Sequence, residues 1–231
     1  MLGWLKRLAA GVALLAVLLS IGGYAYLRSL DLDSQPLADP SSTAADLEFL
    51  RNRTTESRGK VLMVVTSTDR IGSSEKLAGF ELTELSRAYY VFLANGYAVD
   101  IASPRGGRPP MRKDDELVAA DHAFLNDAIA QQKLDNSMPV ADVEPSRYAA
   151  VYFVGGKGTM FDFPDDPSIQ RIVREVYQSG GVVGAVCHGP AALLNVTLDD
   201  GSPLLRGRRA TGFSNAEELF LIEDARALFP Y

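Results

Sequence analysis

Four continuous apolar runs, each closing on small residues, constrain this chain more than any other feature. They are Lys60–Ser67 (KVLMVVTS), Tyr97–Ser103 (YAVDIAS), Tyr148–Val154 (YAAVYFV) and Gly181–Cys187 (GVVGAVC). Hydrophobicity that runs on without alternating marks a strand covered on both faces, as in a parallel sheet. The sequence between these runs changes period. From Gly79 to Asn95 the apolar positions Phe80, Leu82, Leu85, Tyr89, Phe92 and Leu93 have helical spacing, with Gly96 placed to end the helix. Pro167 to Ser179 reads as a second helix, opened by its proline. Four β-α units in succession predict an α/β sandwich around a mainly parallel sheet. The loop PRGGRPP at 104–110 interrupts the pattern. Asp114–Val143 reads as an inserted, mainly helical excursion, and residues 203–214 as a small hairpin.

With 231 residues, 47% of them apolar, the chain is long enough for one sizeable core and short for two. Its net charge of −6 shows no basic excess, which argues against a nucleic-acid partner. One cysteine excludes an internal disulfide and a Cys-rich zinc site. The only histidines are His122 and His188, and His122 lies in the insert with no motif around it.

The N-terminus has its own character. Lys6 and Arg7 precede Leu8–Leu27, twenty residues without a charge, and Asp31 and Asp33 follow. That length crosses a bilayer core as a helix, and the charge order leaves the N-terminus in the cytoplasm. Residues 1–30 are therefore expected to form a single-pass signal anchor with the domain on the extracytoplasmic side, periplasmic in a Gram-negative cell. The alternative is secretion after cleavage, for which Gly23-Tyr24-Ala25 is a poor site. Residues 31–59, polar and rich in Ser and Thr, read as a tether with a short helix over Ala44–Arg53, and 60–231 as the globular domain.

Cys187 ends the fourth strand where a short helix begins, among Gly184, Gly189 and Pro190. A sharp strand-to-helix turn of this kind lifts one side chain into a cleft, as in a nucleophile elbow. Backbone N–H groups at a helix start favour the thiolate, so a depressed thiol pKa is expected. The other reading of a lone cysteine is a buried structural residue.

The segment AVCHGPAALLNV resembles the elbow of the PfpI-type family of the class I glutamine amidotransferase-like superfamily. It is most similar to the heat-shock-protein-31-like, glyoxalase III branch. GFELTEL at 79–85, YAVDIASPRGGRPP at 97–110, FLND at 124–127, YFVGGKGTMFD at 152–162 and GRRATGFSNAEE at 207–218 extend the likeness over about residues 60–229. The resemblance implies a flavodoxin-like three-layer sandwich. It implies Cys187 as nucleophile, His188 as the adjacent histidine, Glu84 as a carboxyl hydrogen-bonded to the thiol, and Glu218, preferred to Glu217 on register, as the acid partnering the histidine. The backbone N–H groups of Gly156 and His188 match an oxyanion hole. Gly155 and Lys157 stand as substrate-pocket candidates. The sequence departs from the family pattern at Lys157, where a histidine is common, and at Arg87-Ala88, where His-Pro is common. It also ends at Tyr231, ahead of the family's last helix.

The implied activity is a cysteine-dependent enzyme acting on small reactive carbonyls such as methylglyoxal, without metal, glutathione or other cofactor. Either His188 or Glu84 would move the carbon-bound proton. The alternatives are a membrane-tethered holdase or non-catalytic binding domain of the same fold, and a weak cysteine peptidase or amidase. A small carbonyl substrate, the membrane through Leu8–Leu27 and a second copy in a homodimer are the expected partners.

Overall fold

The computed structural model describes residues 2–30, 37–114, 116–214 and 216–218. It divides into two units, Met1–Leu37 and Ala38–Tyr231. The first contains helix α1 (Leu2–Ser29), on which Leu8, Val12, Leu15, Leu19 and Tyr26 are exposed. Its Lys6–Ser29 stretch has a mean hydropathy of 2.1 and is 0% buried.

The second unit contains α2 (Glu48–Arg51), β1 (Lys60–Val64), β2 (Phe80–Glu81), α3 (Leu82–Ala94), β3 (Ala98–Ser103), β4 (Met111–Arg112), α4 (Ala119–Asn126), α5 (Ala128–Asp135), β5 (Met138–Pro139), β6 (Ala150–Phe153), α6 (Thr159–Asp162), α7 (Pro167–Gln178) and β7 (Val182–Ala185). Five strands form a parallel sheet in the order β5-β3-β1-β6-β7, and β2 pairs with β4 in a small separate ribbon. The register sets Val61 beside Val99 and Ala150, which holds β1 at the centre of the sheet.

The central strand is covered on both faces, as its unbroken apolar run predicts. Val61, Met63 and Val65 join Leu82, Leu85, Tyr89 and Phe124 on one face. Leu62 and Val64 join Phe153, Ile169, Ile172 and Val176 on the other. Helix α7 shows how the local sequence fixes the outer layer. Asp166 caps it by accepting from the Ser168 and Ile169 N–H groups, Pro167 occupies the first turn, and Ile169, Ile172, Val173 and Val176 face the sheet. Fully burying one such side chain is worth about 1.5–3 kcal/mol. The result is a flavodoxin-like α/β/α sandwich.

Three expectations need correction. Residues 38–59 are not a tether. Leu47 is buried in the main core, and the Asn126 side chain donates to the Pro40 and Ser42 carbonyls, so the polar segment is stitched to α4. Residues 31–36 lie outside the described ones. The 203–214 hairpin does not form; this stretch makes one isolated bridge, Thr197 with Pro203, and then turns and extended chain. The fourth strand, β7, is not buried on both faces. Among the described residues it sits at the sheet edge, and Val182 is exposed.

Candidate active site

The site lies outside the carboxyl ends of β1, β6 and β7, where open α/β sheets place their clefts. The chain leaves β7 and turns sharply at Cys187, which has φ +54 and is the one non-glycine with positive φ among the described residues. A β-strand cannot continue through that conformation, so the backbone is forced round and the thiol projects from the bend. A five-residue 3-10 turn, Gly189–Leu193, follows instead of an α-helix. Such a short turn sums few peptide dipoles, and this weakens the helix-end argument for a thiolate.

Four separate segments converge on the sulfur. From the elbow itself, His188 Nδ1 lies 3.1 Å from Cys187 Sγ. The backbone N–H groups of Gly156 and His188 both point toward the sulfur. Glu84, in the first turn of α3, accepts the Gly155 N–H at 2.8 Å and is hydrogen-bonded to the thiol. Glu218 accepts from His188 Nε2 in a short contact. The glycines are part of this geometry. A Cβ at Gly155 would stand 2.5 Å from Glu84 Oε2 and 2.7 Å from Cys187 Cβ, so only glycine lets those two side chains meet. Gly156 has φ +103 and packs against the Gly79 carbonyl, where a side chain would be strained and crowded. Thr159 Oγ1 spans the carbonyls of Gly156 and His188, at 2.9 and 3.1 Å, and ties the two N–H donors into one rigid unit.

The segment 207–218 contributes more than the sequence implied. Ser214 and Glu217 form a capping box: the Glu217 carboxylate accepts from the Ser214 N–H at 2.7 Å and its hydroxyl at 2.8 Å. Glu217 is thereby occupied on the surface, and the next residue, Glu218, is directed inward, where it is 6% exposed. Phe213 lies flat on the His188 ring, with centroids 4.5 Å apart and planes 8° apart. Phe213 lies within the GRRATGFSNAEE segment that carries the family likeness, but nothing in the sequence pairs it with His188.

Lys157 Nζ lies 3.9 Å from Glu218 Oε2, a buried oxygen with no hydrogen-bond partner among the described residues. One expectation about charge is overturned. The thiol pKa is not depressed. Burial first, and then the neighbouring Glu84 carboxyl, push it up to about 12. Burial likewise raises Glu84, while the hydrogen bond from the thiol and that from the Gly155 N–H pull the other way. Two acids that share one contact cannot both ionise cheaply. The Cys187 thiol and the Glu84 carboxyl therefore compete for one proton within this contact.

The remaining residues of interest lie apart from the sulfur. His122 is on α4, half-buried. Arg87, which departs from the family pattern, pairs with the fully buried Asp121 at 2.9 Å, and Asp121 also accepts from Ser86 at 2.5 Å. These bonds lock α3, and with it Glu84, against α4. Asp162 accepts from Thr66 Oγ1 at 2.8 Å and from the Ser67 N–H at 2.7 Å, and burial raises its pKa to about 6.

Several known proteins are similar to this chain in sequence and fold. Glyoxalase 3 of Candida albicans is 35% identical over 173 residues, which span 69% of this chain and 70% of that protein. A glutathione-independent glyoxalase of Saccharomyces cerevisiae is 32% identical over 178 residues, 72% of this chain and 73% of its own length. Among solved structures, the rapid encystment protein of Francisella tularensis matches with a TM-score of 0.69 at 36% identity, covering 75% of this chain and 77% of that one. Glyoxalase III of Candida albicans matches with a TM-score of 0.62 at 32% identity, with 71% of each chain covered. The DJ-1/PfpI family pattern runs through residues 76–225, from the turn before β2 to beyond Glu218, and the chain belongs to the DJ-1/PfpI family.

Proposed function

We propose that this protein is a cysteine-dependent, glutathione-independent glyoxalase that converts small 2-oxoaldehydes such as methylglyoxal to 2-hydroxy acids. The observation that carries the reading is the unbroken chain from Cys187 Sγ through His188 to Glu218, with two backbone N–H donors beside the sulfur. The names of the curated relatives support the same reaction class.

The roles follow from the geometry. The Glu218 carboxylate holds the proton on Nε2 of His188, which leaves Nδ1 as the acceptor for the thiol proton. The thiolate so formed adds to the aldehyde carbon. The N–H groups of Gly156 and His188 stabilise the resulting oxyanion, a kind of contact worth about 3–4 kcal/mol per donor. His188 then returns its proton to that oxygen, giving a hemithioacetal. Glu84 has a raised pKa and faces the sulfur, the properties of a general base for the carbon-bound proton. It moves that proton from the aldehyde carbon to the neighbouring carbonyl carbon through an enediol, which produces a Cys187 thioester of the hydroxy acid. Water, deprotonated by His188, cleaves the thioester and frees the thiol. His188 is already engaged by Sγ and Glu218, so Glu84 is the better placed of the two candidate bases. The test is turnover of methylglyoxal by the full chain in detergent beside its Cys187→Ala form. Equal rates in the two would refute the reading.

The exposed apolar helix α1 supports a membrane anchor, and Lys6 and Arg7 ahead of its apolar stretch support a globular unit outside the cytoplasm. A C-terminal alkaline phosphatase fusion should then be active, and carbonate washing should leave the protein in the membrane pellet. An inactive fusion would reverse the topology, and release as a shortened soluble chain would favour a cleaved signal.

A further inference from the structure

We infer that Phe213 is a positioning residue for His188: its ring fixes the plane of the imidazole and favours the charged ring that forms when the thiol proton is taken up. This rests on the reaction proposed above and adds a residue to it. His188 is held at its edge by two in-plane contacts, Sγ at Nδ1 and Glu218 at Nε2. Such contacts leave the ring free to tilt about the line joining the two nitrogens. The parallel face of Phe213, at 4.5 Å, removes that freedom.

Burial alone does not account for Phe213. It is 42% exposed, and Thr211, Gly212 and Ser214 around it are exposed as well. The segment instead crosses the elbow itself: a Cβ on Gly212 would touch Pro190 at 3.5 Å and the Cys187 carbonyl at 3.8 Å. The capping box that begins at Ser214 then directs Glu218 to the other edge of the same imidazole. One short stretch therefore supplies both the face contact and the edge contact of the histidine. The face of an aromatic ring is negative and attracts a cation, so Phe213 stabilises imidazolium over imidazole. Three other groups act on that charge. Glu218 and Glu84 favour it, and Lys157, 3.9 Å from Glu218, opposes it. None of the three changes when Phe213 is replaced.

The test compares Phe213→Leu, Phe213→Met and Phe213→Tyr with the unaltered full chain in detergent. Cys187 alkylation by iodoacetamide across pH needs no turnover, and kcat and KM for methylglyoxal are measured in parallel. Loss of a ring contact of this type lowers kcat roughly 3- to 30-fold, with KM changed by less than about twofold. The alkylation midpoint moves to higher pH in the Leu and Met forms, because the thiolate–imidazolium pair is less populated. The Tyr form, which keeps the ring, recovers both. Leu and Met forms with the midpoint and kcat of the unaltered protein would overturn the inference, and so would a Tyr form as impaired as the Leu form. A shifted midpoint without methylglyoxal turnover in any form would refute the carbonyl reaction and leave the role of Phe213 standing. Unchanged midpoints with full turnover would refute the role of Phe213 alone.

Discussion

Glu84→Gln is the substitution that most directly tests where the proton rests. In the native site Glu84 and Cys187 share one hydrogen bond, and the carboxylate is one of the causes that push the thiol to about 12. Glutamine keeps a carbonyl oxygen for the Gly155 N–H, which Glu84 accepts at 2.8 Å, so the backbone after β6 keeps its anchor. Only the charge is lost. A carboxylate in direct contact shifts a neighbouring acid by about 1–3 units. Its removal therefore raises the thiolate fraction at neutral pH about 10- to 1000-fold. A less basic thiolate is also a poorer nucleophile, so the alkylation rate climbs by only about 4- to 40-fold. Turnover should move the opposite way. Loss of a general base costs about 10²- to 10⁴-fold. Iodoacetamide labelling followed by intact mass from pH 5 to 10, beside a methylglyoxal assay, reads both quantities on one preparation. A variant that labels at the native rate at every pH in this range shows that no carboxylate charge acts on the sulfur, and the shared contact is then wrong. A variant that labels faster and also turns over faster shows that Glu84 is not the base.

Other substitutions report on the remaining parts of the site and its support. Glu218→Gln removes the charge that holds the His188 tautomer and should lower kcat by about 10²- to 10⁴-fold, as loss of the orienting acid does in other triads; steady-state kinetics with less than a tenfold loss would contradict that role. Gly155→Ala forces Glu84 and Cys187 apart and should abolish detectable turnover at a cost of about 1–3 kcal/mol in stability, read from the urea midpoint; a fully active variant would refute the close approach. Asp162 has a folded-state pKa raised from 3.8 to about 6, so its stabilising contribution is complete below about pH 4 and is lost as pH rises through 6, on the order of 2–3 kcal/mol. The stability of Asp162→Asn relative to the native chain should therefore improve between pH 4.5 and 7 in urea titrations; a difference that does not change with pH would contradict the raised value.

Residues whose partners lie close in sequence could be read directly, and residues whose partners lie far away could not. The unbroken apolar run 60–67 could only be a strand covered on both sides, and β1 is the centre of the sheet. Asp166-Pro167 marked the start of α7 by its own chemistry. The two-residue strands β2, β4 and β5 carry no period at all and exist because neighbouring strands offer them an edge. The segment 38–59 looked like a tether because its polar residues outnumber its apolar ones. Its attachment comes from Leu47 and from hydrogen bonds donated by Asn126, far along the chain.

The candidate site divides along the same line, and this division decides how the thiol behaves. Strand, glycines and proline around Cys187 encode the elbow locally, and the positive φ at that residue is the outcome. The spacing from Ser214 to Glu217 encodes a capping box, which leaves the following glutamate to turn toward His188. The thiol pKa has no local code. The N–H groups of His188 in the elbow and of Gly156 after β6 argue for a thiolate. Burial and a carboxylate brought in on α3 argue the other way, and they win. In the reaction proposed here, such a site makes its nucleophile when His188 takes the thiol proton. Its reactivity then follows the state of the imidazole more than that of the sulfur. That is why the residues around His188, with Glu218 at its edge and Phe213 on its face, matter as much to this cysteine as the elbow that presents it.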